Sequence, residues 1–159
     1  MSSNRRPLTY WVSAWLPVLI GLCVIATEST AAFGSDYTSG PLRALFESIF
    51  GHVRPENWEL IHHLIRKSGH FIGYGLLGLA WLRAWWMTLP TTGFAKCAPL
   101  AMLGTALTAS ADEFHQSFLP NRTGTPWDVL LDCTGAFLLM MIVYLSARYF
   151  HRGMLVRNR

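Results

Sequence analysis

The sequence predicts an all-α integral membrane protein with four transmembrane helices and an amphipathic helix in its first outer loop. Hydrophobic residues make up 52% of the 159 residues and charged residues only 14%, unlike the composition of an ordinary soluble domain. Four apolar windows, at 10–28, 68–88, 97–117 and 126–148, each approach the roughly 20 residues that a helix needs to cross a bilayer. We therefore expect residues 1–159 to form a single membrane domain.

The distribution of basic residues predicts the orientation of these spans. Basic residues precede the first window, flank the connection between the second and third (Arg83 and Lys96) and follow the fourth. Because such residues are enriched in cytoplasmic segments, both termini are expected in the cytoplasm, with the chain in a bacterial cytoplasmic (inner) membrane. The same asymmetry accounts for the net charge of +4, so nucleic acid is not an expected partner. A signal peptide would share the features of the first window, but the later spans favour a retained helix.

Between the first two windows, local patterns predict one short helix and the start of one long helix. After Gly40-Pro41, apolar residues recur at the spacing of one helical face: Leu42, Leu45, Phe46, Ile49 and Phe50. This pattern predicts an amphipathic helix that starts at the Gly-Pro pair and ends near Gly51. We expect it to lie on the outer membrane surface, to cover the mouth of the bundle, or simply to pack on neighbouring loops. From Pro55 to about Leu89 there is no strong break, so the second span either protrudes or bends near Gly69 or Gly73.

Small residues predict where the spans pack closely. Gly69, Gly73 and Gly78 in the second span are expected to admit another helix backbone, as small residues do in membrane bundles. In the third span, Ala101, Thr105 and Ala109 recur at four-residue spacing. We expect these three residues to supply the opposing surface.

Polar residues gather at the outer ends of the second, third and fourth spans. Because consecutive spans run in opposite directions, these residues are expected at one depth. An ionisable side chain at mid-bilayer costs roughly 2.5–3.5 kcal/mol on insertion scales, so it is expected to have a partner or a function. The predicted ligand-binding cluster consists of Lys67, His70, Tyr74, Asp112, Glu113, Gln116, Arg122, Asp128 and Asp132.

The two acids of the fourth span carry different expectations. Asp128 follows Thr125-Pro126 at the spacing of a capping box, so it has a structural explanation as a helix cap. Asp132 lies one turn deeper and lacks that explanation. It needs a hydrogen-bond donor, for which the candidates are Arg122, Lys67 and His70.

Three motifs resemble those of the VanZ-like family of small membrane proteins. Residues 67–74 match K-x-x-H-x-x-x-Y, residues 112–122 match D-E-x-x-Q-x-F-x-P-x-R, and residues 128–135 match D-x-x-x-N-x-x-G. One departure is Asp132, which stands where the family usually carries Asn. The family takes its name from a protein associated with resistance to the glycopeptide teicoplanin. The resemblance therefore implies a role in glycopeptide resistance or in the cell envelope.

The favoured function is binding of an amphiphile at the outward-facing polar cluster. The ligand would be a lipid-linked cell-wall intermediate or a lipoglycopeptide, with membrane lipids as further partners. Lys67 and Arg122 would meet its phosphate or carboxylate groups. A homo-oligomer is compatible with this hypothesis.

Two other hypotheses remain open from the sequence. In an intramembrane enzyme acting on a lipid-linked substrate, Asp112, Glu113 and His70 would supply acid–base chemistry or hold a metal. The sequence contains no H-E-x-x-H or G-x-S-x-G motif, so no catalytic residue is assigned and a non-enzymatic protein is favoured. The third hypothesis is a structural ion network that fixes helix register. The three cysteines show no metal-ligand spacing, and no metal or cofactor is expected.

Overall fold

A computed structural model describes residues 6–120 and 122–157, with side chains described through residue 150. Arg5, Asn121 and the arginines after residue 150 therefore lie outside the described side chains. The described residues form five α-helices: α1 (Leu8–Glu28), α2 (Ser35–Phe50), α3 (Pro55–Thr88), α4 (Phe94–Gln116) and α5 (Pro126–Arg157), with a 3-10 turn at Ala31–Phe33. The prediction of an all-α fold is confirmed.

Among the described residues, two helices are long and apolar enough to cross a membrane. They are α1 and residues Pro126–Phe150 of α5. Only 11% and 22% of their apolar windows is buried, whereas the core helix of a soluble protein would be largely covered. The other two predicted spans, in α3 and α4, do not pass the same test because polar residues interrupt their apolar runs. The number of spans therefore stays a prediction.

The amphipathic helix begins earlier than its sequence predicts. α2 starts at Ser35 and carries Pro41 inside the helix, so the prediction that Gly40-Pro41 starts it is wrong. The carbonyl of Gly34 fixes the true start, because it accepts hydrogen bonds from the Thr38 amide at 3.1 Å and the Thr38 hydroxyl at 3.0 Å. The predicted end is confirmed: Gly51 follows the helix with φ +83°, a conformation that glycine adopts without strain.

α3 is a continuous helix of 34 residues that begins at Pro55. At about 1.5 Å per residue it is about 51 Å long, more than the roughly 30 Å of a bilayer core. Its first turns protrude beyond the predicted span and hold α2. The Trp58 indole donates to the Ser39 hydroxyl at 2.8 Å, and the His62 ring lies 3.1 Å from the Thr38 hydroxyl.

α3 is the central helix, and it packs most extensively against α5. The prediction of close glycine contacts is confirmed for Gly78, which lies against Ala136 of α5. It is wrong for Gly69 and Gly73, which face open space. The closest backbone approach between α3 and α5 instead occurs at Gly135, against the carbonyl of Phe71. The predicted opposing surface on α4 is buried as expected, at Ala101, Thr105 and Ala109.

Acidification below pH 6.5 is expected to loosen α2 from α3, because His62 at their contact must then take up a proton. Burial, followed by the charges of Arg66 and His63, lowers the pKa of His62 below its ordinary value of 6.5. The detached state therefore binds the proton more readily than the packed state. The contact is fully stable above pH 6.5 and is lost as the pH falls through the lowered pKa.

Amide hydrogen exchange of α2, corrected for its intrinsic rate, measures this loosening between about pH 7.5 and about pH 5. The matched control is His62→Gln, which keeps a polar side chain near Thr38 but cannot take up the proton. Wild-type exchange in α2 should rise at low pH, whereas the variant should show the same corrected exchange at both values. An equal pH response in the two proteins would contradict the prediction.

Candidate functional site

The polar ends of the helices enclose an open cavity of about 670 Å³. Its walls come from α2, α3, the end of α4, the α4–α5 connection and the start of α5. Six residues of the predicted cluster line it: Lys67, His70, Glu113, Gln116, Arg122 and Asp128. The other three, Tyr74, Asp112 and Asp132, are buried and bond or approach these lining residues. The structure thus brings all nine predicted residues together, and their role in ligand binding stays a prediction.

One face of α3 reaches three acids on its neighbouring helices. Lys67, His70 and Tyr74 lie on this face at helical spacing i, i+3 and i+7. The contacts are a Lys67–Asp128 ion pair, His70 Nδ1 at 3.6 Å from Asp132 Oδ1, and a hydrogen bond of 2.9 Å from the Tyr74 hydroxyl to Asp112 Oδ2. Of the three donors proposed for Asp132, the neighbour is therefore His70. The cluster joins α3 to both α4 and α5.

A second chain of contacts ties the cluster to the end of α1. The Gln116 amide donates to Asp112 Oδ1 at 3.0 Å, and Gln116 Oε1 lies 3.4 Å from Arg122 Nη1. Arg122 also donates to the Glu28 carbonyl and, at 3.1 Å, to the Thr30 carbonyl. Arg122 thus bridges the α4–α5 connection and the α1–α2 connection at the rim of the cavity.

The start of α5 is capped differently from the prediction. Thr125 Oγ1 accepts from the Asp128 amide at 3.3 Å, as a capping box requires. The reciprocal bond comes from Glu113 rather than Asp128, because Glu113 Oε2 accepts from the Thr125 amide at 2.8 Å. Asp128 is therefore free of capping and pairs with Lys67 instead. The capping explanation of the Asp128 carboxylate is wrong.

Arg66 is a cavity residue that the sequence analysis missed. It lines the same wall as Arg122, and burial lowers the pKa of both guanidinium groups. The charge of Arg66 lowers the pKa of Arg122 further, because both cations line this cavity. The signal in the sequence was its position, one turn before His70 and next to Lys67.

Part of the cluster lacks partners, which is unfavourable for a purely structural network. Asp132 is fully buried, yet neither carboxylate oxygen has a hydrogen-bond partner among the described residues. Arg122 Nε is also buried without an acceptor in this part of the chain. Buried polar groups in native proteins are nearly always paired. These unpaired atoms favour a site that takes up a ligand or an ion.

An apolar groove leads to the polar cavity. A groove of about 490 Å³ runs along α1, lined by side chains such as Leu16, Ile20 and Val24, and it reaches Glu28 and Phe33. These last two residues also border a recess of about 160 Å³. The other walls of the recess include Arg66, His70 and Arg122, which line the large cavity as well. The apolar groove therefore adjoins, through this recess, a polar cavity whose lining carries both cations and carboxylates.

Two long, exposed apolar helices and a polar cavity at the helix ends are typical of a small helical membrane protein. The chain belongs to the VanZ/LLP1 family, whose profile matches residues 13–147. This range includes the three motifs that carry the resemblance, so the resemblance is confirmed. Comparisons with curated proteins and with solved structures gave no match.

Proposed function

We propose that this protein crosses the membrane four times, with both termini in the cytoplasm, and binds an amphiphile with an anionic headgroup at its outward-facing polar end. The observation that carries the proposal is that the apolar groove on α1 adjoins, through the recess that shares lining residues with both, the cavity lined by Arg66 and Arg122. An amphiphile needs both surfaces side by side. A soluble metabolite would need only the cavity.

The headgroup would bind between the two arginines. Guanidinium groups donate in a fixed fork that matches phosphate or carboxylate oxygens. Arg122 still has an unpartnered buried Nε donor among the described residues, and the pKa of its guanidinium is lowered by burial and by Arg66. An anion between the two groups would offset both effects. Lys67, already paired with Asp128, adds a third cation to the wall.

The apolar part of the ligand would lie along α1 at the membrane surface. Phe33 stands where the groove meets the recess, and Leu16, Leu19, Ile20 and Val24 give the groove its apolar surface. Beside the cavity, α2 exposes Leu45, Ile49 and Phe50. Such a helix suits the interface between headgroups and acyl chains. This placement puts the mouth of the cavity at headgroup depth.

Family membership guides the choice of ligand class. The VanZ-like name is linked to teicoplanin, a glycopeptide, so lipid-linked cell-wall intermediates and lipoglycopeptides are the proposed ligands. Both combine a hydrocarbon chain with ionised groups on the headgroup. Binding either of them would alter the access of the drug to its target at the outer leaflet.

Headgroup recognition is tested by the affinity of the purified chain for a polyprenyl phosphate and for the corresponding uncharged polyprenol. We expect the phosphate to bind and the alcohol to bind at least tenfold more weakly, since a hydrogen bond to a charged group contributes about 1.5–3 kcal/mol. Arg66→Gln and Arg122→Gln should each weaken phosphate binding by about tenfold or more. Arg54→Gln is the matched control, because Arg54 is exposed outside the cavity. Equal binding of both lipids, or no effect of either cavity variant, would contradict the proposal.

The link to glycopeptides is tested by teicoplanin susceptibility in a sensitive host. Wild type, Glu113→Gln and Arg122→Ala are expressed at matched membrane levels. We expect resistance from the wild type and its loss in both variants. A host that stays sensitive to teicoplanin when it expresses the wild type would contradict the glycopeptide role. Binding of a lipid-linked cell-wall intermediate would still be tested separately by the lipid-binding experiment.

A further inference from the structure

Three side chains with metal-ligating atoms converge at the base of the cavity. His70 of α3 and the adjacent Asp112 and Glu113 of α4 each offer one ligand atom, and these atoms lie within 4.8 Å of one another. Ligands placed tetrahedrally around one ion stand about 3.4 Å apart when the metal–ligand bonds are about 2.1 Å. Side-chain shifts of up to about 1 Å would close the set around an ion.

The charges at this position are unbalanced. Asp112, Glu113 and Asp132 are all less than a tenth exposed. Among the described residues, no lysine or arginine lies within 4.0 Å of any of the three. Buried carboxylates are expected to be paired with cations, bound to metal or neutral. A divalent cation would supply the missing positive charge.

Asp132 is placed as an outer-shell partner of a metal-bound histidine. Its fully buried carboxylate has no hydrogen-bond partner among the described residues and lies 3.6 Å from His70 Nδ1. Metal-ligating histidines usually donate their other ring N–H to such a carboxylate, which fixes the tautomer and the ring orientation. A proton on Nδ1 facing Asp132 would leave Nε2 of His70 available as the ligand atom. The ring is partly exposed and lines the cavity.

The two acidic ligands are oriented by hydrogen bonds. Asp112 accepts hydrogen bonds from the Tyr74 hydroxyl at 2.9 Å and the Gln116 amide at 3.0 Å. Glu113 Oε2 accepts from the Thr125 amide, which leaves Oε1 without a hydrogen-bond donor among the described residues. Such outer contacts orient ligands before an ion binds.

We infer that His70, Asp112 and Glu113 bind a divalent transition-metal ion, with Asp132 as a positioning residue. One imidazole and two carboxylates suit Zn²⁺ or Mn²⁺ better than Mg²⁺ or Ca²⁺, which prefer oxygen ligands alone. His70 and Glu113 line the cavity, so further ligands could reach the ion from there. This site differs from the sequence expectation that no metal is bound. It stands independently of the proposed headgroup binding, because the ion's ligands come from the chain itself.

Equilibrium dialysis of the full-length, chelator-treated chain without a histidine tag tests the site. The probes are Zn²⁺ and Mn²⁺ in detergent, with no added lipid and with excess Mg²⁺ present. We expect one ion per chain in the wild type. Glu113→Gln and Asp112→Asn should abolish that binding, and Asp132→Asn should weaken it by about 10–100-fold. Glu59→Gln is the matched control, because Glu59 lines the same cavity outside the cluster and should bind like the wild type.

The electron paramagnetic resonance spectrum of bound Mn²⁺ reports the coordination of the ion, which a general loss of stability would not alter. If the ion that remains bound in Asp132→Asn gives an altered spectrum, this would support the conclusion that Asp132 positions His70. Three results would overturn the inference: no stoichiometric ion in the wild type, full occupancy in Glu113→Gln, or loss of the ion in Glu59→Gln. The wild-type stoichiometry decides the question even if a ligand variant fails to fold.

Discussion

Replacing Gly135 with alanine is expected to lower the free energy of unfolding by more than about 3 kcal/mol. This loss is at or above the largest values that overpacking substitutions in a core usually cause. A Cβ atom at this position would collide with the carbonyl oxygen of Phe71 and with two further backbone atoms of that residue. No rotamer change can relieve a clash with backbone, so α5 must move away from α3. That shift would also separate the Lys67–Asp128 pair, which joins the same two helices.

The matched control is Gly73→Ala. Gly73 lies in α3, but a Cβ atom there would meet nothing within 4 Å. Alanine also favours the helix over glycine by about 1 kcal/mol, so this variant should be as stable as the wild type or slightly more stable. Unfolding in mixed detergent micelles and the amount of protein in the membrane fraction measure both variants. Equal stability of the two would show that α3 and α5 do not approach as closely as the structure indicates.

Lys67→Met is expected to destabilise the protein by about 1.5–3 kcal/mol, the contribution of a hydrogen bond to a charged group. The substitution removes the cation and leaves the Asp128 carboxylate without its partner. The Asp128 side chain is only 16% exposed, so water replaces the lost interaction incompletely. Unfolding in the same micelles measures the loss.

The double variant Lys67→Met/Asp128→Asn separates the unpaired charge from the loss of packing. It should recover most of the stability, because removing both partners of a pair costs less than removing one. Lys96→Met controls for the loss of a positive charge, since Lys96 is exposed at the other end of the helices, and should change stability by less than about 0.5 kcal/mol. A double variant as unstable as Lys67→Met would mean that Lys67 acts through its packing and not through Asp128.

The sequence was sufficient where structure depends on neighbours along the chain. The long uninterrupted pattern after Pro55 predicted α3, and Gly51 predicted the end of α2, because helix propensity and caps act within a few residues. The spacing of Lys67, His70 and Tyr74 likewise placed them on one face before any tertiary contact was known. The same local reasoning failed at Pro41, because the Gly34 carbonyl had already started the helix at Ser35.

Partner choice within the site required the tertiary structure. The sequence left three donors for Asp132, and it assigned the cap of α5 to Asp128 when Glu113 provides it. Arg66 was missed because its position one turn before His70 does not by itself decide whether the side chain faces the cavity. These outcomes depend on how α4 and α5 are shifted along α3, which no local pattern fixes.

The sequence by itself determined most of the helices, the family and the end of the bundle at which the polar residues gather. Local hydrogen bonds, the lengths of apolar runs and the spacing of motifs all depend on residues that are close together in the sequence. Only the tertiary structure decided which acid meets which base, because that depends on the close contacts of Gly135 with Phe71 and of Gly78 with Ala136. Side chains far apart in the chain become neighbours only once such contacts fix the register of the helices.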